Sequence, residues 1–209
     1  MDQINELLAQ KRYDEVFSCI YSLVEEKKAT KEIYPILYKL AILGYHFQVY
    51  DILVNLSIDG ELEKRIIENE IIYQQKVMTL DSYQLDVYND AIKRISNEIE
   101  NGEYMDAYMY SSYAYSITGV PEFLYYKGKS LFKMRAFVEA RECFLHYIQI
   151  GSHRVNKAFM YLHSISIKVH SKKMSDYYKT TMENLEYLFD TNFQYQDIEY
   201  HKRFYKKDN

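Results

Sequence analysis

Six histidines, two cysteines and thirty carboxylates are the side chains of this 209-residue chain that could bind a metal or move a proton. His163 and His170 are seven residues apart, as are His146 and His153, so on an unbroken helix each pair would share a face. Zinc sites usually take ligands three or four residues apart, with a further carboxylate or cysteine. No H-E-x-x-H sequence occurs, and Gly151 interrupts the first pair. Glu139, Glu142 and His146 fall at i, i+3 and i+7, short of the repeated Glu-x-x-His that a di-iron bundle needs. Cys19 and Cys143 are 124 residues apart with no second cysteine near either, which argues against a disulfide framework and a paired-cysteine zinc site. A phosphate-cradling glycine loop and a G-x-S-x-G elbow are both missing. The expectation is a non-enzymatic protein without cofactor or metal.

Charge narrows the partners. The formal net charge of −4 offers no general footprint for nucleic acid. Residues 1–152 carry 16 basic and 23 acidic side chains, net −7, whereas residues 153–209 carry 10 and 7, net +3. The run Tyr200-His201-Lys202-Arg203-Phe204-Tyr205-Lys206-Lys207 reads as a solvated basic tail or short helix within 191–209. The first residues lack a basic segment followed by an apolar run, and no stretch approaches 18 apolar residues. A cytoplasmic, reducing setting and no membrane association are therefore expected.

The apolar spacing that must position any site is helical almost throughout. Leu85, Tyr88, Ala91, Ile92, Ile95 and Ile99 step by three or four, as do Val155, Ala158, Phe159, Leu162, Ile165 and Val169. No comparable run alternates with period two. Gly44, Gly60, Gly102, Gly119 and Gly151 each follow a periodic segment, where a left-handed residue ends a helix readily. Cutting there predicts about eleven helices, near 2–10, 13–28, 31–43, 46–57, 61–79, 82–101, 104–117, 121–134, 137–150, 153–170 and 172–189. Links of two to four residues describe antiparallel hairpins. Pro35 lies near the edge of the tolerated first turn, so its helix is expected to start near Tyr34 or to bend.

These hairpins repeat. Gly102-Glu103-Tyr104-Met105-Asp106-Ala107 aligns with Arg135-Ala136-Phe137-Val138-Glu139-Ala140 at an offset of 33. The same offset relates Lys11-Arg12-Tyr13-Asp14-Glu15-Val16 to Gly44-Tyr45-His46-Phe47-Gln48-Val49. Over Pro121–Ser152, with Leu124, Gly128 and Leu131 on a first helix and Phe137, Ala140 and Phe144 on a second, the chain resembles the tetratricopeptide repeat family. Gly128 and Ala140 would remove bulk where the two helices cross. Tyr147 stands where the family has a late alanine, and no closing proline follows. The resemblance implies an all-α, right-handed superhelix of antiparallel helical hairpins in a single domain over 1–190, with an irregular hairpin near 59–101. A helical-hairpin solenoid of another kind meets the same spacing.

The resemblance also implies a ligand groove lined by first helices, here Asn89, Lys93, Tyr125, Lys129, Phe132, Lys133, Asn156 and Phe159. It implies a scaffold or adaptor whose partner is another protein or a peptide, with basic residues orienting an acidic group. Two other roles fit such a shape: a chaperone-like or regulatory helical protein of a bacterial secretion or signalling system, and a self-assembling structural protein. The 24 tyrosines bear on the last, since Tyr104, Tyr108, Tyr110, Tyr113 and Tyr115 crowd one helix. Some of those rings must enter hairpin packing and the rest cover surface suited to gripping a peptide or a second copy.

Overall fold

A computed structural model of the chain describes residues 1–189; the anticipated basic tail over 191–209 lies outside the described residues. Among the described residues there are eleven α-helices, one 3-10 turn and no strand. The helices are α1 (Asp2–Ala9), α2 (Tyr13–Glu25), α3 (Ile33–Ile42), α4 (His46–Asn55), α5 (Glu61–Met78), α6 (Ser82–Asn101), α7 (Tyr104–Thr118), α8 (Glu122–Lys133), α9 (Phe137–Ile150), α10 (Val155–Lys168) and α11 (Lys172–Leu185), before a 3-10 turn over Glu186–Phe189. None is long and apolar enough to cross a membrane. α3 starts at Ile33, so Pro35 sits in its first turn, where a missing N–H costs nothing.

One backbone device recurs at the five turns that join the helices of a hairpin. Lys11, Gly44, Gly102, Arg135 and His170 all take positive φ, between 56° and 92°. The residue after each, Arg12, Tyr45, Glu103, Ala136 or Ser171, has φ between −97° and −78° and ψ between 51° and 84°. In every case that residue's N–H returns to the carbonyl five positions back (Leu7, Leu40, Glu98, Leu131, Ser166) over 2.8–3.1 Å. This is the Schellman closure of a helix, and it satisfies carbonyls that the helix end leaves unpaired. The turn recurs between α1 and α2, α3 and α4, α6 and α7, α8 and α9, and α10 and α11, and the offset of 33 in the sequence is its spacing from Lys11 to Gly44 and from Gly102 to Arg135. Three of the five turns place Lys, Arg or His where glycine is favoured. Lys11→Gly is accordingly expected to raise stability by about 0.5–1 kcal/mol, read as a higher denaturation midpoint in urea.

Gly151 departs from the expected left-handed helix end. Its backbone is extended (φ −94°, ψ 167°). Space is the reason for glycine here: a Cβ would run into the Tyr147 ring. The Tyr147 hydroxyl in turn accepts the Arg154 N–H at 3.2 Å, so this ring fixes the link from α9 to α10.

The described residues divide into two compact units, 1–71 with 187–189 and 72–186, and α5 runs through the boundary. In the first unit Ile4, Leu7, Val16, Ile20, Leu37, Leu40, Val49 and Ile52 form the core. Tyr34 is fully buried there and its hydroxyl donates to the Ile58 carbonyl at 3.2 Å. Burial, with Glu63 and Asp59 adding negative charge nearby, pushes its pKa up to about 12. The stretch 61–78 is a single 18-residue helix, α5, within one residue of the helix that the apolar spacing predicts over 61–79.

In the second unit each of α6 to α11 packs on the next, and α8 also touches α10. α6 begins with a capping box: Asp81 accepts the Gln84 N–H at 2.8 Å, and the Asp81 N–H donates to the Gln84 side chain at 3.2 Å. α7 buries a stripe of small residues, Ala107, Ser111, Ala114 and Thr118. All five of its tyrosines lie outside that stripe. They cover flanking helices: Tyr113 meets Tyr83 hydroxyl to hydroxyl at 2.6 Å, Tyr110 lies under Arg94, and Tyr108 lies under Lys127. Small residues let α6 and α8 approach α7 closely, and rings seal the edges.

Candidate functional site

α8 carries both sites along one stripe, Glu122 in its first turn and Lys129 and Lys133 seven and eleven residues on. The inner one starts at Glu122, an acid in the first turn of α8 and only 5% exposed. Its Oε1 accepts from Arg154 Nε and its Oε2 from His153 Nε2, both at 2.7 Å. The Tyr73 hydroxyl approaches Oε2 at 3.5 Å and meets the Tyr88 hydroxyl at 2.9 Å. Arg154 also donates to the Tyr126 hydroxyl at 3.1 Å, and its guanidinium lies 5.3 and 5.2 Å from the Tyr125 and Tyr126 ring centres.

Burial alone would raise the Glu122 pKa, but His153 and Arg154 outweigh it and hold the carboxyl well below its ordinary 4.5. The Arg154 pKa behaves the same way: burial lowers it, and Glu122 more than reverses that. Both carboxylate oxygens and three flanking rings are thereby committed to internal partners. Such a cluster fastens the end of α5, α6, α8 and the 151–154 link.

The outer site is cationic. Lys129, half-buried, is one turn before Lys133, and Arg154, Lys133 and Lys157 all press positive charge on it while Glu100 of α6 opposes them. Burial first, then those cations, lower its pKa. Like charges gathered on a partly desolvated amine are unfavourable unless an anion joins them.

Of the residues expected in a groove, the structure brings Lys129 and Lys133 together with Lys157, the neighbour of Asn156. Asn156 is half-buried, and its Oδ1 is buried without a hydrogen-bond partner. Phe132 is half-buried and meets Tyr161 and Phe137 with ring centres 5.0 and 5.6 Å apart. Tyr125 and Phe159, at 3% and 2% exposure, are core side chains. Asn89, half-buried, and Lys93, exposed, share a face of α6 one turn apart.

The histidine pairs are drawn apart by other partners. His153 pairs with Glu122, and His163 Nδ1 lies 3.0 Å from the Ser175 carbonyl and hydroxyl. His146 stands edge-on to Tyr115, and His170 forms a left-handed turn. Glu139, Glu142 and His146 are all exposed. Among the described residues the one trio placed to share a metal is Glu98, Glu103 and Asp106, at the α6–α7 turn. Sequence reasoning missed Glu122, Arg154 and Lys157. The available signal for the first was an acid opening the otherwise apolar run Phe123-Leu124-Tyr125-Tyr126.

No family model, curated protein or solved structure matches the chain.

Proposed function

We propose that the protein is a non-enzymatic binding module, a stack of tetratricopeptide-like helical hairpins that holds an acidic segment of another protein on the cationic face of α8 and α10. The observation that carries this reading is that Lys133 and Lys157 gather on half-buried Lys129 with only Glu100 to oppose them, Arg154 beside them being already paired with Glu122. The five equivalent hairpin turns and the contact of α8 with α10 support a repeat stack in which first helices of neighbouring hairpins present one surface. Two free cysteines fit a reducing, cytoplasmic setting.

Lys133 is exposed and Lys129 half-buried, so both tolerate substitution. Lys129→Glu with Lys133→Glu is expected to leave the helical circular dichroism spectrum and melting temperature nearly unchanged. The same variant should weaken binding of a glutamate-rich peptide at least ten-fold, because two attractive charges become repulsive. Unchanged affinity in calorimetry would remove the assignment.

A second reading, self-association, rests on exposed apolar side chains. Met105, Met109 and Tyr113 are 59%, 61% and 50% exposed along one side of α7. Phe47, Tyr50 and Val54 form a similar stripe on α4. Light scattering over a concentration series separates the two readings: a strict monomer counts against self-association.

A further inference from the structure

Past Lys133 the cationic face continues to the turn joining α8 to α9. There Phe132, Lys133, Arg135, Phe137 and Lys168 line an open pocket of about 470 Å3. The lining comes from the last turn of α8, the left-handed turn at Arg135, the first residue of α9 and the last residue of α10. Phe132 and Phe137 meet edge to face with centres 5.6 Å apart. Lys168 Nζ stands 5.4 Å from the centre of the Phe137 ring.

The lining holds three cations, two phenylalanines and no carboxylate. Among the described residues, Lys133, Arg135 and Lys168 form no ion pair. Lysines in a helix's last turn are favoured by its dipole, which accounts for Lys133 and Lys168 taken singly. It does not account for both being carried, from separate helices, to the same two rings as Arg135. A cleft of this size lies low in the range of about 300–1,000 Å3 that takes small ligands, and it has room for one large side chain.

We propose that this pocket receives a bulky apolar side chain of an acidic protein segment, the two phenylalanines holding the side chain while Lys133, Arg135 and Lys168 hold the carboxylates beside it. The inference rests on the cationic-face reading and extends it, since Lys133 belongs to both surfaces. An acidic run lying along α8 therefore delivers its next side chain to the pocket. The partner's chemistry follows: consecutive Asp or Glu, then Phe or a large aliphatic residue.

The probe is a fluorescein-labelled peptide of consecutive glutamates closed by one phenylalanine and a C-terminal amide, compared with the same peptide carrying alanine in place of phenylalanine. The amide removes the terminal carboxylate, so the acid side chains alone supply the charge. Fluorescence anisotropy should show the phenylalanine peptide binding about ten-fold tighter, the gain from burying one large apolar side chain. Arg135→Gly with Lys168→Gln should weaken both peptides about ten-fold, because both carry the carboxylates these cations hold. Glycine suits the left-handed turn at 135, so loss of binding in this variant does not reflect loss of the turn. Equal affinity of the two peptides for the unaltered protein overturns the pocket and leaves the cationic face standing. Failure of both peptides to bind overturns both.

Discussion

Glu122→Gln is expected to lower the stability of the second unit by about 3 kcal/mol, the scale seen when one member of a buried ion pair is removed. The glutamine fits the same space but leaves Arg154 and His153 without the carboxylate that their 2.7 Å hydrogen bonds require. For a chain of this size such a loss corresponds to a drop of roughly 6–12 °C in melting temperature. Circular dichroism is the suitable probe, since the chain has no tryptophan. The pH dependence follows from the same pair. The folded-state pKa of Glu122 is depressed below its ordinary 4.5. The unfolded chain therefore binds this proton first as pH falls, so the contribution is complete above about pH 4.5 and is lost as pH falls toward the folded value. The glutamine variant should show a shallower loss of stability in that acid range. A variant as stable as the parent at neutral pH, with the same acid limb, would mean that the pair contributes nothing.

Gly128→Leu is expected to destabilise by about 1–3 kcal/mol through overpacking. Gly128 sits inside α8 where α9 crosses it, and a Cβ there would lie 3.0 Å from Phe144 and 3.2 Å from the Cys143 Cβ. Phe144 cannot retreat, because Tyr161 stacks on its ring at 4.9 Å. Gly128→Ala tests the geometry more finely: helix propensity favours alanine by about 1 kcal/mol, so any net loss measures the squeeze against Phe144. A melting temperature unchanged by leucine would mean that α8 and α9 do not cross at this residue.

Local physics explains what the sequence discloses. Helix positions follow from apolar spacing of three and four, and the close crossing at Gly128 follows from a glycine placed inside a helix, where only space or strain justifies it. The Schellman turns at Lys11 and Arg135 are less legible, because Lys and Arg carry no bias toward positive φ and are revealed only by alignment with Gly44 and Gly102; the turn at His170 has no such aligned glycine. The tyrosines of α7 invite a reading as core, yet Ala107, Ser111 and Ala114 take that place because helix proximity favours small side chains over large ones. The Glu122–His153–Arg154 cluster joins residues 31 and 32 positions apart, across a helix and a link. No local spacing encodes that, and Arg154 reads in sequence as one more member of the net-basic segment 153–209.

The candidate binding face divides in the same way. Lys129 and Lys133 are visible as a pair one helical turn apart. Lys157 and Arg154 join them only through the packing of α10 on α8, and Lys168 reaches the same surface from the far end of α10. Tyr125 and Phe159, attractive in sequence as aromatic anchors, are instead the material that holds α8 and α10 in place.

The central claim, that the face of α8 and α10 binds an acidic protein segment, is tested most directly by titrating a glutamate-rich peptide into isotope-labelled protein and following the amide chemical shifts. Shift changes should cluster at Lys129, Lys133, Lys157 and Arg135, saturate, and vanish in the Lys129→Glu, Lys133→Glu variant. Changes scattered over the α2 and α4 lysine-poor surfaces, or a response identical in that variant, would contradict the account.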